Sequence, residues 1–360
     1  MHMNIPMVAD ASSPASVKTD KPANRLEILD GWRGLSILFV MASHMLPLGP
    51  KVWELNVAAG SIGMSLFFTL SGFLITSTLQ RHAEPVAFFI RRFMRIIPLA
   101  FLYLLIVLPF LDLSAKDWLA HFTFTVNYLS NSFHHLTLHF WSLCVEVHFY
   151  ILMGLLAALG GKRSLILLPF LLLACTAAII VLDEHGTMKT HFRVDQILAG
   201  GVLALIHSSD RAAGIRRFLG RLPLTLLVSG LILSSLAVFY RYDWVRAYFA
   251  MALVGHSLYR NQDGKLDFLK NRVLVYIAEI SFALYVIHPV TMAGVLGSGT
   301  GLEKYAKRPL SFLLSFALAH LSTRYFENRF IDLGKKWIAR RKPSPAKAQP
   351  DAIILQATGT

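Results

Sequence analysis

Charged side chains are scarce in this sequence of 360 residues, since Asp, Glu, Lys and Arg make up only 16% of it and hydrophobic residues 55%. Typical soluble domains carry about a quarter charged residues. Long polar stretches are also missing, because apolar runs near bilayer-spanning length follow one another along most of the chain. These absences exclude an ordinary water-soluble fold and predict one membrane domain.

Cysteine is nearly absent as well. Cys144 and Cys175 both lie inside apolar segments, so the sequence predicts neither a disulfide framework nor a zinc site, and we expect no bound metal. Residues 1–25 lack the charged and apolar regions of a cleaved signal peptide. We therefore expect the first membrane helix to serve as its own insertion signal.

The apolar runs predict an all-α integral membrane protein with about ten transmembrane helices around a polar cavity. Small residues at Ser71–Gly72 and at Gly200–Gly201 predict close helix packing. We divide the chain into a disordered cytoplasmic segment (1–25), a membrane domain (26–333) and a basic, largely disordered cytoplasmic tail (334–360). The ten runs fall at residues 28–48, 57–79, 96–113, 140–160, 164–182, 194–207, 222–240, 244–258, 273–293 and 310–329.

The formal net charge is +14, which in a soluble protein would indicate a nucleic-acid partner. With the N-terminus in the cytoplasm, however, most Lys and Arg residues fall on the cytoplasmic side, as the positive-inside rule predicts. The basic charge therefore indicates topology and contact with anionic membrane lipids, and we expect no nucleic-acid partner. Both termini are expected on the cytoplasmic face of a bacterial inner membrane.

The first predicted helix carries an arginine near its start and a histidine near its end. Arg33 and His44 are eleven positions apart, about three helical turns, so both side chains project from one face. An ionisable residue within a bilayer normally faces a protein interior or a water-filled cavity, which makes it a functional candidate. We predict that His44 is a general base toward an acceptor hydroxyl, with a simple hydrogen bond to a neighbouring helix as the alternative.

Three arginines, Arg91, Arg92 and Arg95, lie at the cytoplasmic start of the third helix. Spacings of three and four residues bring them together on the helix surface. Planar guanidinium groups bind phosphate oxygens in pairs, so the cluster suits the phosphates of coenzyme A. Positive-inside anchoring explains the same residues.

The fourth helix presents a polar stripe on one face. Ser142, Glu146 and Tyr150 are spaced by four residues, just after Trp141. A carboxylate inside the membrane needs a partner. Three partners suit Glu146: the imidazole of His44, which it would orient, an acceptor group, or an arginine.

More polar residues are predicted in the outer half of the membrane. Arg193 and Asp195 open the sixth helix, where they fit an interfacial ion pair. Tyr285 and His288 share a stripe on the ninth helix, and His288, which precedes a proline, fits the cap of a kinked helix. Together these residues indicate a polar cavity that opens outward. We expect the following side chains to bind or support the acceptor: Trp141, Ser142, Tyr150, Arg193, Asp195, Tyr285 and His288.

The longest outer loop, residues 112–139, is rich in aromatic residues and histidines, His139 among them. Such a surface suits a sugar, and it equally suits an interfacial helix with solvated histidines. The histidine spacing matches no specific metal motif.

In their order along the chain, these motifs resemble the acyltransferase-3 family of membrane O-acyltransferases. Any one motif is weak, whereas the ordered set is specific. One departure is the pair Val147 and His148, where a more polar pair is expected after Glu146. The matching segments are Asp30–Gly34 with His44, Phe68–Thr76, Arg91–Pro98, Trp141–Tyr150, Phe192–Gly201, Ser281–Pro289 and Tyr325–Ile331.

The resemblance implies transfer of an acyl group, usually acetyl, from cytoplasmic acyl-CoA to a hydroxyl of an extracytoplasmic or lipid-linked carbohydrate. It implies that His44 is essential, that Glu146 belongs to the catalytic site, and that acyl-CoA is a substrate rather than a resident cofactor. It places the acyl-CoA contacts on Arg33, Arg91, Arg92 and Arg95. The alternatives are a transporter or flippase for a glycan or small molecule, and a non-catalytic membrane subunit.

Overall fold

The computed structural model describes residues 27–81, 84–129, 132–260 and 264–341. Within these ranges the protein is helical and has no β-strand, which confirms the predicted all-α class. Short 3₁₀ segments join several helices, and one π-helical turn, Ser322–Glu327, separates the last two. The α-helices are α1 (Glu27–Met45), α2 (Leu55–Arg81), α3 (Pro85–Val107), α4 (Ala115–Phe122), α5 (Phe140–Gly160), α6 (Leu168–Val181), α7 (Thr190–Arg193), α8 (Asp195–Ser208), α9 (Ala213–Arg221), α10 (Leu224–Leu233), α11 (Val245–Tyr259), α12 (Arg272–Glu279), α13 (Ser281–Ile287), α14 (Gly301–Ala306), α15 (Arg308–Leu321) and α16 (Asn328–Arg341).

Three helical stretches of the described chain are long and apolar enough to cross a membrane: Leu55–Arg81, Pro85–Phe110 and Phe140–Val181. The third comprises α5 and α6, which are separated at Gly161, where φ is +58°. Glycine adopts this left-handed backbone without a Cβ clash, so α5 ends there. The molecule is therefore a helical membrane protein, and its crossing number of about ten stays a prediction.

Two predicted segments extend beyond the described residues. Residues 1–25 lie outside them, as do residues 342–360 of the predicted tail. Residues 334–341 of that tail are the last turns of α16. The predicted ninth span, residues 273–293, is divided, because α12 ends at Glu279 and α13 begins two residues later.

Helices α2 and α8 cross with their backbones in contact, and two glycines make this possible. A Cβ on Gly72 would lie 1.8 Å from the carbonyl oxygen of Ile197, and one on Gly200 would lie 1.9 Å from that of Thr69. Since no side chain fits at such distances, glycine is required at both positions. The predicted close packing of these helices is therefore present in the fold.

The segment before α5 is hydrogen-bonded to α3, and this determines the position of the polar residues at the start of α5. The hydroxyl of Tyr103 on α3 donates a 2.7 Å hydrogen bond to the carbonyl of Leu136. Nearby, α4 begins with a capping box in which Ser114 and Asp117 satisfy each other's backbone N–H groups. His139 then precedes the first residue of α5, so its buried ring has a defined position.

Candidate active site

His44 lies at the end of α1, and its ring is paired with that of His288, just after α13. The Nδ1 of His44 is 2.7 Å from the Nε2 of His288. The two rings are stacked with their centroids 5.0 Å apart. His288 is completely buried, whereas His44 is exposed and lines a cavity. The ring of His44, the predicted general base, therefore has one side packed against His288 and the other open to a ligand in the cavity.

The backbone around His288 determines which nitrogen of each ring carries a proton. The Nδ1 of His288 lies 3.1 Å from the carbonyl oxygen of Leu284 and 2.9 Å from that of Tyr285. A carbonyl oxygen only accepts, so this Nδ1 donates, and the Nε2 of neutral His288 must accept. It accepts from the Nδ1 of His44. The remaining nitrogen of neutral His44, Nε2, then has a free lone pair, which is the state that a general base requires.

A second group of polar side chains lies beside the histidine pair. The hydroxyls of Ser142 and Tyr285 are hydrogen-bonded to each other. Both also reach the backbone carbonyl of His139, at 3.1 and 2.6 Å. The ring of His139 packs edge-on against His288 with centroids 5.7 Å apart. The structure thus brings Ser142, Tyr285 and His288 together, although they come from two predicted helices.

The cavity has a volume of about 580 Å³, which is within the usual range for small-molecule sites. Its wall includes His44, His139, Trp141 and Tyr285. Polar groups from α1, α5 and α13 therefore converge on one space, as the polar cavity predicted from sequence requires.

Glu146 lies one turn further along α5 from Ser142. Of the three partners suggested for it from sequence, the imidazole of His44 is not the one that it contacts. Its Oε1 accepts 2.6 Å hydrogen bonds from the hydroxyls of Ser71 and Tyr150. The hydrogen bond that orients His44 is the one its Nδ1 donates to the Nε2 of His288. The suggestion that Glu146 orients the His44 ring is therefore corrected: the stripe on α5 directs the carboxylate to α2 and to Tyr150.

The predicted arginines approach this carboxylate from two helices. The guanidinium of Arg92 lies 5.6 Å from the centre of the Tyr150 ring. Arg33 lies within electrostatic reach of Arg92, Arg95 and Glu146. A third-helix neighbour, Arg91, has a buried Nη2 without a hydrogen-bond partner among the described residues. A cationic cluster with an unused donor thus lies on the Tyr150 side of Glu146, and its guanidinium groups suit an anion.

A family model described as an acyltransferase domain matches residues 26–323, most of the chain. The chain belongs to the acyltransferase-3 family. The resemblance seen in the ordered motifs is therefore confirmed, and the acyltransferase domain of that family occupies most of the chain. No solved structure gives a significant match to this acyltransferase-3 chain.

Three named relatives share parts of this acyltransferase-3 sequence. YrhL of Bacillus subtilis (strain 168), provisionally named a peptidoglycan O-acetyltransferase, is 25% identical over 87% of the chain and 56% of its own length. Nodulation protein 10 of Rhizobium leguminosarum bv. viciae is 23% identical over 40% of the chain and 46% of itself. Peptidoglycan O-acetyltransferase OatA of Listeria monocytogenes is 29% identical over 34% of the chain and 23% of itself. The chain thus spans about half, or less, of these relatives.

Asp243 was not among the residues that the sequence predicted for this acyltransferase-3 site. Arg193 pairs with Asp243 at 3.3 Å and lies over the Trp141 ring at 5.8 Å. The suggested ion pair of Arg193 with Asp195 is therefore wrong in its partner, and Asp195 is buried with one oxygen unpartnered within the described chain. His139 was predicted only as one of several histidines of the loop 112–139, and the structure places its ring against His288. Among the described residues, no group of three His, Cys, Asp or Glu side chains is placed to hold a metal ion.

Proposed function

We propose that this protein transfers an acyl group, most simply acetyl, from cytoplasmic acyl-CoA to a hydroxyl of an extracytoplasmic or lipid-linked carbohydrate. The observation that carries the proposal is the His44–His288 pair, which leaves a basic nitrogen in a ring that lines the cavity. The carbohydrate acceptor is supported by the names of YrhL and OatA, both of which refer to peptidoglycan.

In the proposed reaction the acceptor hydroxyl attacks the thioester carbonyl while the Nε2 of His44 takes its proton. A C–O bond forms, the C–S bond breaks, and the leaving thiolate of coenzyme A then takes the proton from His44, which returns to its neutral state. The imidazolium of His44 keeps its hydrogen bond to the Nε2 of His288, which stabilises the developing positive charge. In a second route the Nε2 of His44 attacks the thioester, so that a C–N bond forms and the C–S bond breaks with release of the thiolate. The acceptor hydroxyl then attacks the acyl-imidazole, the C–N bond breaks, and the hydroxyl proton passes to the thiolate.

The donor is proposed to bind through the cationic cluster. Arg33, Arg91, Arg92 and Arg95 supply guanidinium groups for the phosphates of acyl-CoA. Glu146 lies between this cluster and the Ser142–Tyr285 pair, and it is one helical turn from Ser142. We propose that the thioester arm follows the α5 stripe of Tyr150, Glu146 and Ser142, which runs from the side of Arg92 to the side of the histidine pair.

The orientation follows from the charge pattern. A ten-helix arrangement in a bacterial inner membrane, with both termini in the cytoplasm, places the arginine cluster inside and His44 toward the outer face. Acyl-CoA is a cytoplasmic metabolite, and the acceptor is outside, so the reaction transfers an acyl group across the membrane.

The test uses vesicles with radiolabelled acetyl-CoA supplied to the cytoplasmic side. His44→Ala should abolish transfer of label to glycan, whereas His320→Ala, a histidine on α15 bonded to Tyr276, should transfer at the wild-type rate. Both variants must be present at wild-type levels in the membrane. Unchanged transfer by His44→Ala would remove His44 from the mechanism, and glycan movement without consumption of acetyl-CoA would favour a transporter.

A further inference from the structure

The cavity beside His44 is lined by cations and by no carboxylate. Arg193, Lys304 and Arg308 line it, and none of its described lining residues is Asp or Glu. In a space with low-dielectric walls, charges of one sign raise the local concentration of the opposite charge. The wall composition therefore favours an anionic ligand in the cavity.

Arg308, the first residue of α15, is the most unusual of these cations. Arg308 is only 5% exposed, and its Nε and Nη1 have no hydrogen-bond partner among the described residues. A buried charge is normally paired, because water no longer solvates it. The start of α15 adds the positive end of a helix dipole at the same place.

Arg193 and Arg246 differ from Arg308, because each has a partner for part of its guanidinium group, although the Nε of Arg193 is also unpartnered among the described residues. Arg193 pairs with Asp243. Arg246 donates from Nε and Nη2 to the carbonyl of Ser234, at 3.2 and 2.8 Å. Arg308, by contrast, lines the cavity while its Nε and Nη1 make no hydrogen bond within the described chain.

We propose that Arg308, assisted by Lys304, binds an anionic group of the acceptor, a carboxylate or a phosphate, and so holds the acceptor hydroxyl at His44. The planar guanidinium suits either group, because each presents two oxygens to a pair of N–H donors. The substrate class is therefore an acidic carbohydrate or a lipid-linked sugar phosphate. This inference rests on the proposed acyl transfer for its meaning, whereas the anion site itself can be measured without turnover.

The experiment is a binding titration with the detergent-solubilised full chain, in saturating coenzyme A to keep the inner arginines occupied. The carboxylate probe is trigalacturonate and its neutral control is the methyl ester. The phosphate probe is glucose 1-phosphate and its neutral control is methyl glucoside. We expect one charged probe to bind at least about tenfold more tightly than its neutral control, which corresponds to one charge-assisted hydrogen-bond pair. The probe that does so identifies the anion.

Arg308→Gln should remove this preference and Arg308→Lys should retain part of it. Arg241→Gln is the matched control, because Arg241 is an exposed arginine paired with Asp183 at 3.8 Å, and it should bind as the wild type does. If Arg308→Gln does not fold, Lys304→Gln and Arg308→Lys carry the same comparison. Equal binding of charged and neutral probes, or a preference that survives Arg308→Gln, overturns the proposal.

The outcomes separate this site from the proposed function. An Arg308-dependent preference in a protein whose vesicles transfer no acyl group would retain the anion site and reject acyl transfer. Acyl transfer to a glycan without any preference for acidic probes would retain the enzyme and reject the anion site.

Discussion

Replacement of His288 tests the tautomer argument most directly. His288→Leu fills a similar volume but removes the Nε2 that accepts the Nδ1–H of His44, the 2.7 Å contact. In the transition state His44 becomes an imidazolium, and a hydrogen bond from a charged group contributes about 1.5–3 kcal/mol. Since about 1.4 kcal/mol corresponds to a factor of ten in rate, kcat should fall about 10- to 150-fold.

The assay measures initial rates of label transfer from acetyl-CoA to glycan in vesicles, normalised to the protein present. The KM for acetyl-CoA should not change, because the inner arginines are untouched. His288→Gln should restore part of kcat, since its amide oxygen accepts a hydrogen bond. The reasoning is refuted if His288→Leu turns over at the wild-type rate, or if kcat and KM change together in both variants, as general misfolding would cause.

Three further predictions follow from other contacts. Arg92→Ala should raise the KM for acetyl-CoA about tenfold with a smaller effect on kcat in the same vesicle assay, since it removes one phosphate contact; an unchanged KM would contradict the donor site. Gly72→Ala should lower the free energy of unfolding by about 1–3 kcal/mol or more, because the new Cβ would clash with the Ile197 carbonyl. The loss is measured as a fall in thermal stability, and Gly214→Ala, which has open space around it, is the control. Asp243→Ala should destabilise the protein by about 3–5 kcal/mol, because it leaves Arg193 without its buried partner. The double variant with Arg193→Ala should lose less stability than the two single variants together, and additive losses would argue against the pair.

The sequence predicts well which residues share a face of the same helix. Arg33 and His44, and the stripe of Ser142, Glu146 and Tyr150, follow from a period of 3.6 residues, so their shared faces could be identified before the structure. The arginine cluster likewise follows from spacing within one helix. The all-helical class follows from the apolar runs, which have no alternative to helix in a bilayer other than a closed barrel.

Partners from distant parts of the chain could not be predicted in this way. His44 and His288 are separated by 244 positions, and only the packing of α1 against α13 decides that they meet. The same holds for Arg193, whose partner is Asp243 rather than its near neighbour Asp195. Each predicted residue had several chemically acceptable partners, and tertiary packing selected one of them.

The crossing of α2 and α8 has a consequence for transport through the protein. Where Gly72 and Gly200 bring the two backbones together, no space for a thioester arm or for water molecules remains between the helices. The adjacent residue, Ser71, points instead to Glu146 on α5. Under the proposed function, the acyl-CoA arm therefore passes along the α5 side of α2, because the α8 side is closed by this backbone contact.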